Sequence, residues 1–314
     1  MEYAAIAETY QLIEGTTKRL EMTDYLVELF KKTPPDVIDK VIYLTQGKLY
    51  PDYLGIELGI AEKLAIRALA KTTGLKEKTI NEMLKKSGDL GSVAEEAIKK
   101  KKQMTLFSFQ EEKKLTVEKV YENFDKIARA EGEGSQEKKI QYLAELLNLS
   151  SPLEAKYIIR TVEGKLRLGI ADMTILDALS VAFGGTKELR SFVERAYNIH
   201  PDLGYIARKL AEEGIEGVKK IKIQLGIPIR AMLAERLPSL EEILAKMGGR
   251  AAFEYKYDGM RIQAHVGEER IWLYSRRLEN LTSQFPDVVN AIKEAFKGRE
   301  GIFDGEAVPV DVNT

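Results

Sequence analysis

Residues 253–261 read Phe253-Glu254-Tyr255-Lys256-Tyr257-Asp258-Gly259-Met260-Arg261, and the chain runs on as Ile262-Gln263-Ala264-His265-Val266. The alternation predicts two strands, and Asp258-Gly259 predicts a tight hairpin turn between them. On such a hairpin Glu254 and Lys256 share one face. Phe253, Tyr255 and Tyr257 point to the other, with the two tyrosines in the core. Lys256 would then stand at a strand end among charged neighbours. Alone, Lys-x-Asp-Gly would serve a surface hairpin with a solvated lysine equally well, so its meaning depends on its surroundings.

Downstream, the runs at 270–276 (RIWLYSR) and 301–310 (GIFDGEAVPV) read as further strands, with one helix at 287–298 between them. Upstream lie a short helix at 239–249 and the β-branched stretch IKIQLGIPIRAML, interrupted by Pro228. From the start to about residue 220 the apolar residues recur at helical spacing instead. Tyr25, Leu26, Leu29 and Phe30 form one such face, ended by Pro34-Pro35, and the helix over 61–73 stops at Gly74. Ser151, Pro152 and Glu154 predict a capping box with proline at the first helical position. The fold class is therefore α plus α+β: an all-helical domain over 1–220, then an antiparallel-sheet segment over 221–314. That second segment stops in or just after a strand, and is expected to be the first part of a truncated domain.

With 44% hydrophobic and 31% charged residues, the 314-residue chain suits a folded globular protein rather than a disordered one. It has no apolar run of about 18 residues and no signal-like start, so a cytoplasmic protein without a membrane partner is expected. The absence of cysteine excludes disulfides, thiolate metal sites and cysteine nucleophiles, and two histidines are too few for a histidine-rich metal centre. Abundant Lys and Glu fit a heat-adapted source. A net charge of −1 does not advertise a nucleic-acid binder, but binding needs a basic face rather than a basic total. The run Lys99–Lys102 reads as a solvated helix end.

The order FEYKYDGMR, LYSRR, FDGE resembles the ATP-dependent DNA ligases of the nucleotidyltransferase superfamily, most closely the archaeal replicative type. The helical region resembles that family's N-terminal DNA-binding domain, notably over EGKLRLGIADMTILDAL. The resemblance implies that Lys256 is the residue that becomes adenylylated, with ATP as cofactor beside Mg2+ or another divalent cation, whose ligands the sequence leaves unknown. It implies that Glu254 helps recognise adenine. Arg261 and Arg276 would contact the nucleotide or the nick phosphate, and Glu306 would accept from the ribose hydroxyls. Arg276 and Arg277, being adjacent, are expected to face opposite ways. One departure is Ala231 in PIRAMLAERL, where the family usually has proline. Later family motifs are not among these residues, so DNA binding without efficient sealing is expected of the chain alone.

The residue types suit that chemistry. A lysine amine with a pKa of about 10.4 costs roughly 4 to 5 kcal/mol to deprotonate at neutral pH. Desolvation and neighbouring positive charge lower that cost. In the helical region, Gly164 and Gly169 bracket Lys165 and Arg167. Glycine lets backbone approach phosphate and the two cations neutralise it, which suits shape-reading contact with nicked duplex DNA. Gln103, Leu106 and Phe107 resemble the glutamine-led peptide that docks on a replication sliding clamp, although buried packing serves those residues equally well. A monomer is expected. Two other readings stay open at this level: a non-catalytic DNA- or clamp-binding protein, and an RNA ligase or capping enzyme, against which the large helical domain argues.

Overall fold

The computed structural model describes residues 1–104 and 114–310. The chain divides into two compact units. One comprises Met1–Pro51, Ile56–Tyr197 and Asp202–Ile221, and the other runs from Lys222 onward together with Asp52–Gly55 and Asn198–Pro201.

The first unit is helical, as the apolar spacing predicts. It opens with α1 (Ala4–Glu14), α2 (Arg19–Lys32) and α3 (Ile38–Thr45). Next come α4 (Glu62–Thr73), α5 (Glu77–Ser87) and α6 (Leu90–Met104). They are followed by α7 (Val117–Ala128), α8 (Ser135–Leu149) and α9 (Pro152–Val162). The last are α10 (Asp172–Gly184), α11 (Arg190–Ile199) and α12 (Leu203–Lys219). The main helix pairs are α6 with α9, α2 with α10, α4 with α8 and α3 with α12. Fully buried Tyr3, Tyr10, Tyr157, Phe30 and Phe124 fill the interior. Burial of such rings is acceptable where the hydroxyl finds a partner, and Tyr10 Oη donates to Thr45 Oγ1 at 3.1 Å. Gly91 lets α6 and α9 close on each other, because a Cβ there would lie 2.6 Å from Arg160 Cγ and 2.8 Å from the Lys156 carbonyl.

The predicted helix punctuation is present. Gly74 ends α4 with φ 73°, a conformation that a side chain would strain. Ser151 caps α9: its Oγ accepts from Glu154 N–H at 3.3 Å, and Glu154 Oε2 accepts from Ser151 N–H at 2.7 Å. Ser151→Ala removes one of these bonds and should lower unfolding stability by about 1 kcal/mol in a denaturant titration. An unchanged midpoint would show that the cap is dispensable.

The second unit has α13 (Leu240–Lys246), β1 (Met260–Val266), β2 (Ile271–Ser275), α14 (Pro286–Ala295) and β3 (Gly301–Ala307). Its antiparallel sheet has the order β2-β1-β3. Ile262, Ala264, Val266, Ile271 and Leu273 form one buried face with Leu281, and Val288, Val289, Ile292 and Phe296 pack against it. The opposite face carries Arg261, Gln263 and His265 on β1. Trp272 and Tyr274 of β2 and Asp304 and Glu306 of β3 stand opposite them in register.

The expected hairpin at Asp258-Gly259 is not formed. Residues 251–259 pair with no strand, because β2 and β3 occupy both edges of β1. The β1–β2 connection at residues 267–270 makes the hairpin instead. Gly259 is needed for close approach rather than for a left-handed turn: a Cβ there would sit 2.4 Å from the Ala307 carbonyl. Nor do the aromatics form a core layer. Phe253, Tyr255 and Tyr257 are 70%, 87% and 60% exposed, since no second layer covers them among the described residues.

Candidate functional site

The three motif segments meet at one end of the sheet. Glu254, Tyr255, Lys256, Tyr257, Arg261, Ser275, Arg276, Arg277, Glu279, Asp304 and Glu306 all line one open cleft of about 1090 Å³. Each arrives for a local reason. Strand alternation puts Arg261 and Glu306 opposite each other on the face away from the apolar core. β2 ends at Ser275, whose hydroxyl accepts from the N–H groups of Arg277 and Glu279 and donates to Glu279 Oε2. That turn leaves strand geometry, and Leu278 takes φ 69° within it. Arg276 and Arg277 therefore line the same cleft, contrary to the opposite orientations expected of neighbours on a strand.

Lys256 is exposed, and its amine donates to the Tyr257 carbonyl at 3.2 Å. Arg261 is gripped at both ends of its fork. Its Nε donates to Asp304 Oδ1 at 2.9 Å and its Nη2 to Asp304 Oδ2 at 2.6 Å. The bonds from Asp304 raise the Arg261 pKa further above its already high value, so the guanidinium is permanently charged and held in one plane. Among the lining groups, three arginines and one lysine face four carboxylates. The cleft thus presents cations and acceptors together, as a molecule carrying both phosphate and hydroxyl groups would require. Asp304 is the contributor that sequence reasoning missed. Its place two residues before Glu306, on the same face as Arg261, was the available signal.

In the helical unit, Lys165 to Gly169 form the loop between α9 and α10. Leu166 and Leu168 are buried and anchor it, while Lys165 and Arg167 are turned outward. Their ion pairs are long: Lys165 Nζ lies 3.5 Å from Glu163 and 3.6 Å from Glu62, and Arg167 Nη1 lies 3.9 Å from Asp89. Gly164 and Gly169 have φ of 66° and 65°, and Arg167 shares that strained left-handed region at 57°. A Cβ on either glycine would meet nothing within 4 Å, so this backbone is open to approach. The turn Thr45–Gly47 completes a cavity of about 250 Å³ with the loop. The N-terminus of α10 carries Asp172, whose carboxylate accepts from Gln46 and Tyr197, so a phosphate would meet the loop cations rather than a bare helix end.

The run Lys99–Lys101 lies on α6, where Lys99 and Lys100 are exposed, and Lys101 Nζ donates to Asn148 Oδ1 at 2.7 Å. Gln103 lies in the last turn of α6; its side chain, together with Leu106 and Phe107, falls outside the described residues. Among the described residues no helix is long and apolar enough to cross a membrane. Among them, too, no group of three or more His, Asp or Glu residues could hold a metal ion.

Residues 2–180 match the family described as DNA ligase N terminus, and residues 231–314 match the ATP dependent DNA ligase domain. A DNA ligase 2 from Thermofilum pendens is 54% identical over 317 residues, covering 100% of this chain and 53% of the relative. DNA ligases from Hyperthermus butylicus and Nitrosopumilus maritimus are 50% and 48% identical, again over 100% of this chain and 53% of their own length. The chain thus spans about half the length of the curated relatives it matches.

Proposed function

Because this chain belongs to the ATP-dependent DNA ligases, we propose that it serves to seal nicks in duplex DNA through a lysine–AMP intermediate at Lys256. The reading is supported above all by one observation: segments 254–261, 275–277 and 304–306, remote in sequence, line a single cleft. In the proposed reaction the Lys256 amine, once deprotonated, attacks the α-phosphorus of ATP. A P–N bond forms, the α–β P–O bond breaks and pyrophosphate leaves. AMP then passes to the 5′-phosphate of the nick, freeing the lysine. The 3′-hydroxyl finally attacks that phosphate and expels AMP.

Glu254 is assigned to the adenine and Glu306 to the ribose hydroxyls, since a carboxylate supplies only acceptors. Arg261 and Arg276 are assigned to phosphate oxygens. Lys165, Arg167 and the flanking glycines Gly164 and Gly169 are assigned to the phosphate backbone of the duplex. The described residues do not fit a metal site of their own. A divalent cation, when present, supplies neutralising charge and would travel chiefly on the nucleotide's phosphates.

The test is mass spectrometry of the protein after incubation with ATP and magnesium. A gain of one AMP, located to Lys256, is expected; a protein that binds nicked DNA but gains no AMP would be a binder rather than a ligase. Within this reading Asp304 orients Arg261. Asp304→Ala should leave folding intact, since the pair is exposed, yet raise the KM for ATP about tenfold through loss of a charge-assisted contact. A KM equal to that of the wild type would remove Asp304 from the site.

A further inference from the structure

The β-branched stretch ahead of α13 forms no strand, yet it is tied to the sheet as if it were one. Gly226 N–H donates to His265 Nδ1 at 3.1 Å. Ile229 N–H donates to Gln263 Oε1 at 2.7 Å, and Gln263 Nε2 donates back to the Ile229 carbonyl at 3.0 Å. Tyr274 Oη donates to the Gly226 carbonyl at 2.6 Å. Side chains thus do for this segment what a backbone ladder does elsewhere. Gly226 takes φ 83° beside the Trp272 indole; a Cβ there would stand in ordinary contact at 3.4 Å, so it is the left-handed backbone rather than the space that calls for glycine.

The network also fixes the state of the imidazole. Nδ1 accepts from Gly226, so it carries no proton; Nε2, 2.9 Å from Gln263 Oε1, must carry one. A second proton would set an N–H at Nδ1 against the N–H of Gly226. The ring is fully buried, facing Trp272 and Tyr274 of β2, Ile302 of β3 and Gly226. Tyr274 is the titratable group in ring contact with it, Arg270 lies over Trp272, and Asp304 stands one pair further along β3, where it is held by Arg261. None of these neighbours supplies a carboxylate free to favour an imidazolium. Burial accordingly pushes the His265 pKa down to about 4.

The tethered segment continues straight into the nucleotide cleft's foundations. Ile229 and Ala231 border a small gap shared with Arg261, Gln263, Ser275 and Arg276. We propose that Gln263 and His265 are positioning residues of the cleft: they latch Gly226–Ile229 to the sheet, which sets the wall behind Arg261 and Arg276, and the latch holds only while the imidazole is neutral. The inference rests on the nucleotide role proposed for that cleft.

Its sign with pH is fixed. The unfolded imidazole titrates near 6.5 and the folded one near 4, so the latch is complete above about 6.5 and weakens as pH falls through that window. Hydrogen exchange at the Gly226 and Ile229 amides, corrected for intrinsic pH dependence, should lose protection about tenfold or more between pH 7 and pH 4.5 in the 314-residue chain. Gln263→Leu should lose that protection already at pH 7. His265→Asn, which keeps an acceptor for Gly226, should retain much of the protection and show no loss on acidification.

Gln263→Leu should also raise the KM for ATP in AMP uptake about tenfold while kcat changes little. Unchanged exchange in Gln263→Leu would overturn the latch. Lost protection with an unchanged KM would overturn its positioning role. Absence of AMP uptake by the wild type would instead overturn the nucleotide reading, leaving the exchange data to judge the latch.

Discussion

Lys256→Ala is expected to abolish AMP uptake and to cut nick sealing by a factor on the order of 10⁴ or more, the scale of losing a covalent nucleophile. No neighbour can replace it. Among the described residues Lys256 is the one lysine lining the cleft, and the other cations there are Arg261, Arg276 and Arg277. A guanidinium does not give up its proton in a protein, so it cannot become the attacking amine. Lys256→Arg should therefore be as inactive as the alanine variant, which separates nucleophile from mere positive charge. The fold should not suffer, because the side chain is exposed and makes one bond, to the Tyr257 carbonyl. The binding of nicked duplex proposed for Lys165 and Arg167 should persist. The last step of the proposed reaction does not use the lysine, so both variants should still join a nick supplied with AMP already on its 5′-phosphate. AMP uptake by Lys256→Ala at the wild-type rate would end the assignment.

The segments that line this cleft were marked in the sequence by the resemblance of FEYKYDGMR, LYSRR and FDGE to the ligase motifs. Strand alternation, a short-range rule, adds which of their side chains share a face on β1 and β3. Arg261 and Glu306 follow it, and the helices of the first unit follow the equally local 3.6-residue period. What escaped depends on long-range partners. The Asp258-Gly259 dipeptide carries a turn signal, but whether the turn forms is decided by who holds the edges of β1, and β2 and β3 do. The stretch from Ile221 has β composition without a ladder, since side chains of Gln263, His265 and Tyr274 satisfy its backbone. Asp304 is marked in the sequence only by its place two residues before Glu306, and its grip on Arg261 shows once β1 and β3 lie side by side. The same holds for charges buried in the helical unit, whose partners lie scores of residues away.

Arg160 is the largest such case. It is only 4% exposed, and its Nε and Nη2 donate to Asp89 at 3.1 and 2.8 Å, while Nη2 also reaches Glu14 at 3.0 Å. Lys156 and Tyr157 add contacts to Glu14 at 2.9 and 2.8 Å, so α9 holds the end of α1 and the start of α6. The same arginine's carbonyl accepts from Lys165 N–H at 2.8 Å, at the root of the loop proposed to grip DNA. Arg160→Met should cost about 3 to 5 kcal/mol, because it leaves two carboxylates facing each other without their shared counter-charge. The penalty should depend on pH in a definite direction. Burial alone would raise both carboxyl groups, but hydrogen bonds from Arg160, Lys156 and Tyr157 hold Glu14 at about 2, and those from Arg160 and Ser92 hold Asp89 well below its usual range. Depressed folded values stabilise the wild type above about pH 4, and that contribution drains away as pH falls from about 4 toward 2. In Arg160→Met there is no guanidinium contact left for protonation to break, so the gap between variant and wild type should be widest at pH 7 and narrow as pH falls toward 2. Adding Glu14→Gln and Asp89→Asn to Arg160→Met should recover part of the loss at pH 7, since the repulsion is then gone. Denaturant midpoints across pH 3 to 7 measure all three effects. A gap that stays constant over that range would mean that Arg160 serves the interior by its bulk rather than by its charge.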